Sequence, residues 1–304
     1  MTNLQDRGAT ANGKSFGFSR TRRRAFVASY VMFKTVFLWR DVRRPRFRLF
    51  IYEIVYSICR ALDRPARPLL WLRIDRVSTV FGDFKIRPGS TDTATVSPAF
   101  ERLDVDHLLS EIRERLTAGR SVLFVDVGAD VGTYTVSVAN QLRSVGDLAI
   151  VAFEPSPSSY ELFSANVESN GLAGMVSSRQ LALGDGSTQS AFMTFDYREP
   201  GGSELVASSE EGGEEVQMST LDVELSSQAI PDVVVLKMDV EGSETGVLEG
   251  AKVTLAAAKE AFLLVEDFID TSIVQYLERT GWSFQEKFTP YNSFWIRRNA
   301  AVQE

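Results

Sequence analysis

The stretch VLFVDVGADVGTYT sets an acidic residue, Asp126, at the end of an apolar run, with Gly128 and Gly132 across the turn that opens a helical pattern. Glycine suits a turn that must close on a ligand, where a Cβ would intrude, and a helix start offers free N–H groups. The loop therefore reads as a site for a nucleotide-like molecule. Its two glycines are four residues apart, whereas a dinucleotide fingerprint has glycines at its first, third and sixth places. A carboxylate at Asp126 repels a pyrophosphate and attracts a cation, which fits the ammonium and sulfonium of S-adenosyl-L-methionine (SAM). The alternative for Asp126 is a cap on the turn that follows.

Glu154 closes the next apolar run, and Pro155 turns the chain directly after it. A carboxylate there can accept hydrogen bonds from both ribose hydroxyls; the alternative is an exposed strand end. Asp185, in LALGDG, is placed either to meet an adenine amino group or to form an ordinary Asp-Gly turn. KMDVEGSETGVLEGA brings Asp239, Glu241 and Gly242 to the end of a further apolar run. In an open α/β sheet that loop neighbours the first strand's loop, at the crevice where ligands bind. Asp239, supported by Glu241, is thus the candidate for aiming or deprotonating a hydroxyl in an in-line displacement. Glu241 and Glu244 would also suit the start of the next helix. Glu266 and Asp267 form a second carboxylate pair on the same rim.

To bring these strand ends together the chain must alternate buried strands with amphipathic helices, and beyond Arg120 it does. The pattern predicts strands at 121–127, 148–154, 175–182, 232–238 and 262–268, helices at 131–143, 158–170, 244–257 and 272–280, and a closing hairpin, WSFQEKF then SFWIRR. Ahead of these lie a strand pair within 77–86, the turn RPGSTD at 87–92 and a helix at 104–117. Residues 189–220 interrupt the rhythm as a hairpin whose tip carries EEGGEE, a solvated loop rather than a metal site.

The composition of the 304 residues, 44% hydrophobic and 24% charged, supports a packed core. Cys59 and His107 are single, which rules out an internal disulfide and any Cys/His metal cluster and leaves Ser-His-Asp chemistry without a nucleophile. A reducing compartment follows, and His107 reads as an ordinary helix residue. Residues 1–76 hold 17 Lys and Arg against 5 Asp and Glu, while the rest hold 16 against 35. Residues 1–19 read as a disordered tail, and 20–76 as basic amphipathic helices broken by Pro45, Pro65 and Pro68. The apolar runs in 20–76 are too short to span a bilayer, so this extension either lies on an anionic membrane surface or packs on the main domain or a second subunit. No nucleic-acid motif accompanies the charge.

The ordered motifs RPGSTD, VDVGADVGTYT, FEPSPSSYELFSANVESNGL, ALGD, STLD and KMDVEGSETGVLEGA, across residues 80–298, resemble the FkbM-type methyltransferases. The resemblance implies a class I SAM-dependent α/β fold over 77–304: a mostly parallel, Rossmann-like seven-stranded sheet with a C-terminal antiparallel hairpin. It implies methyl transfer to the hydroxyl of a sugar, glycolipid or natural product; the segment before residue 77 lies outside the resemblance, and its basic character leads to the expectation of a cytoplasmic enzyme, peripheral at the inner membrane face through 20–76. Cofactor contacts are expected from Asp126, Gly128, Asp130, Gly132, Glu154, Pro155 and Asp185, and active-site roles from Asp239 and Glu241, without a metal. Arg87, Ser90, Asp92, Tyr134 and Glu266 complete the expected rim. Asp130 stands where the family usually has Asn, either being able to cap the helix. The rival readings are a nucleotide-dependent oxidoreductase on a similar sheet and a non-catalytic module that keeps the fold.

Overall fold

The computed structural model describes residues 36–61, 72–195, 204–206, 213–240, 242–267 and 272–299. Three short strands come first: β1 (Val42–Arg44), β2 (Arg76–Thr79) and β3 (Asp83–Lys85), in one antiparallel sheet. The strand pair expected in 77–86 is β2 and β3. β1 is a difference, because a segment expected to be helical throughout 20–76 lends a strand that pairs Val42 with Thr79. Only its flanks are helical, notably Arg46–Ala61. Leu38, Val42, Leu49 and Tyr52 are buried in the same apolar cluster as Val122, Phe124 and Ile150 of the later strands, so the extension packs on the main domain.

The next strands are β4 (Val122–Val127), β5 (Leu148–Phe153), β6 (Val176–Arg179), β7 (Ala182–Leu183), β8 (Ser190–Thr194), β9 (Glu204–Val206) and β10 (Glu214–Ser219). The chain closes with β11 (Val233–Met238), β12 (Glu260–Glu266), β13 (Ser283–Glu286) and β14 (Asn292–Arg298). Seven of them form one sheet in the order β13-β14-β12-β11-β4-β5-β6. All neighbours from β12 to β6 are parallel, and the terminal hairpin adds the antiparallel β14. This is the expected class I architecture, with the chain order reversing beside β4, where a crevice opens above the strand ends.

Both faces of the sheet are buried, which explains why its strands read as continuous apolar runs. Val122, Phe124, Ile150, Val233, Val235 and Phe262 pack in one cluster with the helices Arg102–Thr117 and Thr133–Leu142. Leu123, Val125, Val151, Val234 and Leu236 pack in the other with Val247, Leu255, Ile273 and Leu277. Alternation therefore sends Asp126 and Lys237 to the first face.

Two expectations need correction. The third strand ends at Arg179, and Ala182–Leu183 leaves to pair in parallel with β10 in a separate sheet, order β7-β10-β8-β9. The single helix expected over 244–257 is two, Glu244–Glu249 and Lys252–Ala257. The break has a packing cause: Gly250 lies so close to the backbone of Gly184 that a Cβ would fall 2.0 Å from its carbonyl oxygen. The expected hairpin in 189–220 is β8 with β10, whose first residues, Glu214 and Glu215, end the EEGGEE run, while 210–212 lie outside the described residues.

Candidate active site

Parallel registry brings the site together. Val127 is level with Phe153 on one side and Met238 on the other, so the residues that follow, Gly128, Glu154 and Asp239, stand side by side at the strand ends. The turn is drawn tight by hydrogen bonds from the Gly128 and Ala129 amides to the Phe153 carbonyl, 3.0 Å each, and from the Asp239 amide to Val127, 3.1 Å. Gly128 has φ +79, and a Cβ on it would fall 2.1 Å from the Asp239 carbonyl oxygen; one on Gly132, φ +88, would fall 2.5 Å from Phe163. The glycines are thus demanded by the neighbouring strand's backbone and by a packed ring. Packing within the protein is thus a reason for both glycines in its own right, beside the ligand approach expected from sequence.

Asp126 is fully buried, and one of its oxygens accepts from both the amide of Thr135 (3.1 Å) and its hydroxyl (2.7 Å). It therefore caps the helix Thr133–Leu142 from the strand, a task that the N-cap Gly132 has no side chain to perform. Its other oxygen, Oδ1, has no hydrogen-bond partner and lies 3.9 Å from the ammonium of Lys237. Burial pushes the Asp126 carboxyl up, against the pull of Lys237 and Thr135. Beside the ligand contact expected from sequence, Asp126 thus has a structural task, holding the start of the helix that follows the glycine loop.

Glu154 is buried too. Its carboxylate accepts from the amide of Asp130 (2.7 Å) and the amide of Ser156 (2.8 Å), which fixes the glycine loop to the end of β5. Burial, with the nearby charge of Asp130, pushes its carboxyl up to about 8. Pro155 is half-buried just before the helix Pro157–Ser169, whose N-cap is Ser156.

Asp130 departs from its expected role. It adopts φ +47, a left-handed conformation that Asp and Asn tolerate best among residues with a Cβ, and its carboxylate takes Arg87 Nη2 (2.7 Å) and Ser159 Oγ (3.0 Å). Capping is left to Asp126. Arg87 is itself buried, clamped by Asp92 through Nε (2.8 Å) and Nη2 (3.1 Å), and Ser90 Oγ donates to the Arg87 carbonyl. Arg87, Ser90 and Asp92 therefore lie behind the loop as its support, and not on an open rim.

Asp239 is exposed, with Oδ2 3.5 Å from Lys237 Nζ. Glu241 lies outside the described residues. Asp185 is exposed on the loop after β7, where its carboxylate accepts from the Ser187 amide at 2.8 Å in a local turn; the strand it follows belongs to the second sheet. Glu266 ends β12 opposite Asn292, and Asp267 is buried and ion-paired with Lys287. His107 sets its ring edge-on against Phe294, at 4.6 Å, in a packing role.

Two residues that no motif singled out complete the crevice. Lys237 is level with Asp126 across the sheet, buried, and donates to the Gly128 carbonyl at 3.1 Å, with its ammonium 5.2 Å from the centre of the Tyr134 ring. Burial alone would lower its pKa, but Asp239, Asp126 and Glu101 overcome this and hold the ammonium charged. Glu101 precedes the helix Arg102–Thr117 in a left-handed conformation, φ +41, and accepts from the hydroxyl of the buried Tyr134 at 2.6 Å. A lysine inside an otherwise apolar strand was a readable signal for the first; nothing local marks Glu101.

Asp126, Asp239 and Glu101 thus gather around Lys237 at the ends of β4 and β11, with Glu154 at the neighbouring end of β5, an excess of carboxylates that favours a cationic ligand. The amides of Gly128, Ala129, Asp130, Gly132 and Thr135 are spent on protein acceptors, which takes most of this loop's donors away from a phosphate. Sheet order and site together define a Rossmann-like domain of the class I methyltransferase type. A family model described as the methyltransferase FkbM domain matches residues 126–286, and the chain belongs to the FkbM methyltransferase family.

A protein of Beauveria bassiana (strain ARSEF 2860) described as "Methyltransferase 1" is 29% identical over 146 residues, which is 41% of this chain and 57% of that protein. The chain thus spans little more than half of that relative. Among solved structures, methyltransferase FkbM from Methylobacillus flagellatus KT is similar at TM-score 0.39 and 12% identity, over 90% of this chain and 60% of that one. The ribosomal protein L11 methylase of Lactobacillus delbrueckii subsp. bulgaricus is similar at TM-score 0.39 and 12% identity, over 64% of this chain and 79% of that one.

Proposed function

We propose that this chain is a SAM-dependent O-methyltransferase acting on a hydroxyl of a sugar, glycolipid or natural product. The observation that carries the reading is the gathering of carboxylates at the ends of β4, β5 and β11, joined to a glycine loop in which the amides of Gly128, Ala129, Asp130 and Gly132 are taken by the protein. SAM is cationic at its ammonium and its sulfonium, and its ribose offers two hydroxyl donors. Glu154 still has lone pairs for those hydroxyls beyond the two amides it takes. Bound SAM supplies an electrophilic methyl group. The protein's task is then to aim an acceptor oxygen along the line of displacement, and the exposed carboxylate of Asp239, just past the end of β11, supports its assignment to that task. Glu241, two residues on, would assist it. An oxidoreductase reading is disfavoured because a pyrophosphate would meet carboxylates and occupied amides.

Comparing glycans, lipids and small metabolites by mass spectrometry, in cells with and without the protein, tests this. A product lighter by one methyl group in the deletion strain is expected; an unchanged methylation profile would contradict it.

A second reading concerns location. Trp39 and Phe47 are 65% and 75% exposed, with Arg40, Arg43, Arg44 and Arg48 exposed around them. Aromatic side chains among arginines suit the headgroup region of an anionic membrane, so this face is where the enzyme would meet a lipid-linked acceptor. No helix among the described residues is long and apolar enough to cross a membrane.

A further inference from the structure

We propose that Glu101 is the general base of the reaction, receiving the proton of the acceptor hydroxyl, while Asp239 holds that hydroxyl in line. The proposal rests on the O-methyltransferase reading above.

The geometry is unusual for a residue at the head of a helix. A side chain at the N-cap normally turns back to satisfy the first amides, yet Glu101 makes no such bond. It takes a left-handed backbone conformation, strained for a residue with a Cβ, and its carboxylate turns instead to Tyr134 Oη. Strain of this kind persists where surrounding structure holds it. Here Tyr134 stands in the first turn after the glycine loop, and the charges of Asp239 and Lys237 reach Glu101 from the end of β11. The carboxylate therefore stands beside the turn that follows β4 and close to the charged end of β11, the two strand ends to which the proposed function assigns the transferred group.

The groups facing it are Tyr134 from the helix Thr133–Leu142, Asp239 and Lys237 from β11, and the amide of Asn292 from β14; Asp104 lies on its own helix. Burial, reinforced by Asp239, moves the Glu101 carboxyl up to about 7, against the hydrogen bonds of Tyr134 and Asn292. A base that titrates there is ionised for part of its time at neutral pH and holds a captured proton well. Asp239 already lends one oxygen to Lys237, which suits it to orientation.

The step balances. An oxygen lone pair of the acceptor forms the new O–CH3 bond as the S–CH3 bond of SAM breaks, its electron pair returning to sulfur as a thioether. The hydroxyl proton passes to Glu101, which releases it to solvent after product leaves.

The test uses the full-length chain and its Glu101→Gln and Glu101→Asp variants. SAM binding is measured by calorimetry, and methyl transfer by tritiated SAM with an extract of cells lacking the protein as the acceptor pool. At saturating SAM, Glu101→Gln is expected to transfer methyl about a hundredfold more slowly than the parent, beyond any loss of SAM affinity that calorimetry records. Glu101→Asp should recover part of the rate. Transfer by Glu101→Gln within threefold of the parent would overturn the proposal. Absence of SAM binding by the parent would instead sink the function on which it rests. An extract that accepts no label leaves the decision to the 13C signal of the Glu101 carboxyl: titration near pH 7, moving lower when SAM is added, supports the assignment. Titration at the ordinary carboxylate value, unmoved by SAM, overturns it.

Discussion

At the scale of single residues, the crevice is built from carboxylates that burial makes reluctant to ionise. Glu154 is the sharpest case, because its carboxyl, pushed up to about 8, must be ionised to accept both ribose hydroxyls. The sign follows: below that value the proton competes with the ligand. SAM affinity should therefore rise with pH from 6 to 8, by up to about tenfold per unit, and level off above. Glu154→Gln should bind more weakly and lose this slope. Calorimetry across pH checks it, and a flat profile in the parent would show that Glu154 does not meet the ribose. The strand-end acids were legible in the sequence because each follows an apolar run directly. The use each is put to was not, since burial of Asp126 and the reach of Arg87 to Asp130 depend on segments about forty residues apart in the chain.

At the scale of elements, the turn from β4 to the helix Thr133–Leu142 is where packing and function meet. Gly128→Ala would set a Cβ against the Asp239 carbonyl, at φ +79, and should destabilise the fold by about 2 kcal/mol or more. Denaturant melts measure this directly; a change below about 0.5 kcal/mol would mean that the β4 and β11 loops part easily. A second cost is expected in SAM affinity, since the same loop is then displaced. Strands of the main sheet were predicted to within two residues at most ends, because burial on both faces writes an unbroken apolar run. The shortened third strand and the divided helix over 244–257 were hidden. Their causes, the pairing of β7 with β10 and the contact of Gly250 with Gly184, join segments remote in sequence.

At the scale of the whole molecule, the charge division visible in the sequence has a structural counterpart. β1 pairs with β2, and Arg102, at the start of the helix Arg102–Thr117, forms ion pairs with Asp41 and with Asp106 and lies over the ring of Phe37 at 4.5 Å. The basic segment is thus tied to the domain it precedes, and removing it wholesale would uncover the core at Val77 and Phe84. Point changes are the better probe. Trp39→Ser with Phe47→Ser should leave the melting temperature unchanged and reduce binding to vesicles containing phosphatidylserine, while parent binding falls as salt rises from about 0.05 M to 0.5 M. Equal vesicle binding by parent and double variant would show that this face does not contact lipid.

The central claim is that the crevice above β4, β5 and β11 holds SAM, and calorimetry of the purified chain with SAM and, separately, with NAD tests it most directly. The structure's excess of carboxylates and its engaged loop amides predict saturable SAM binding at micromolar concentrations and no measurable NAD binding at about 1 mM. Saturable binding of NAD with none of SAM would contradict the account.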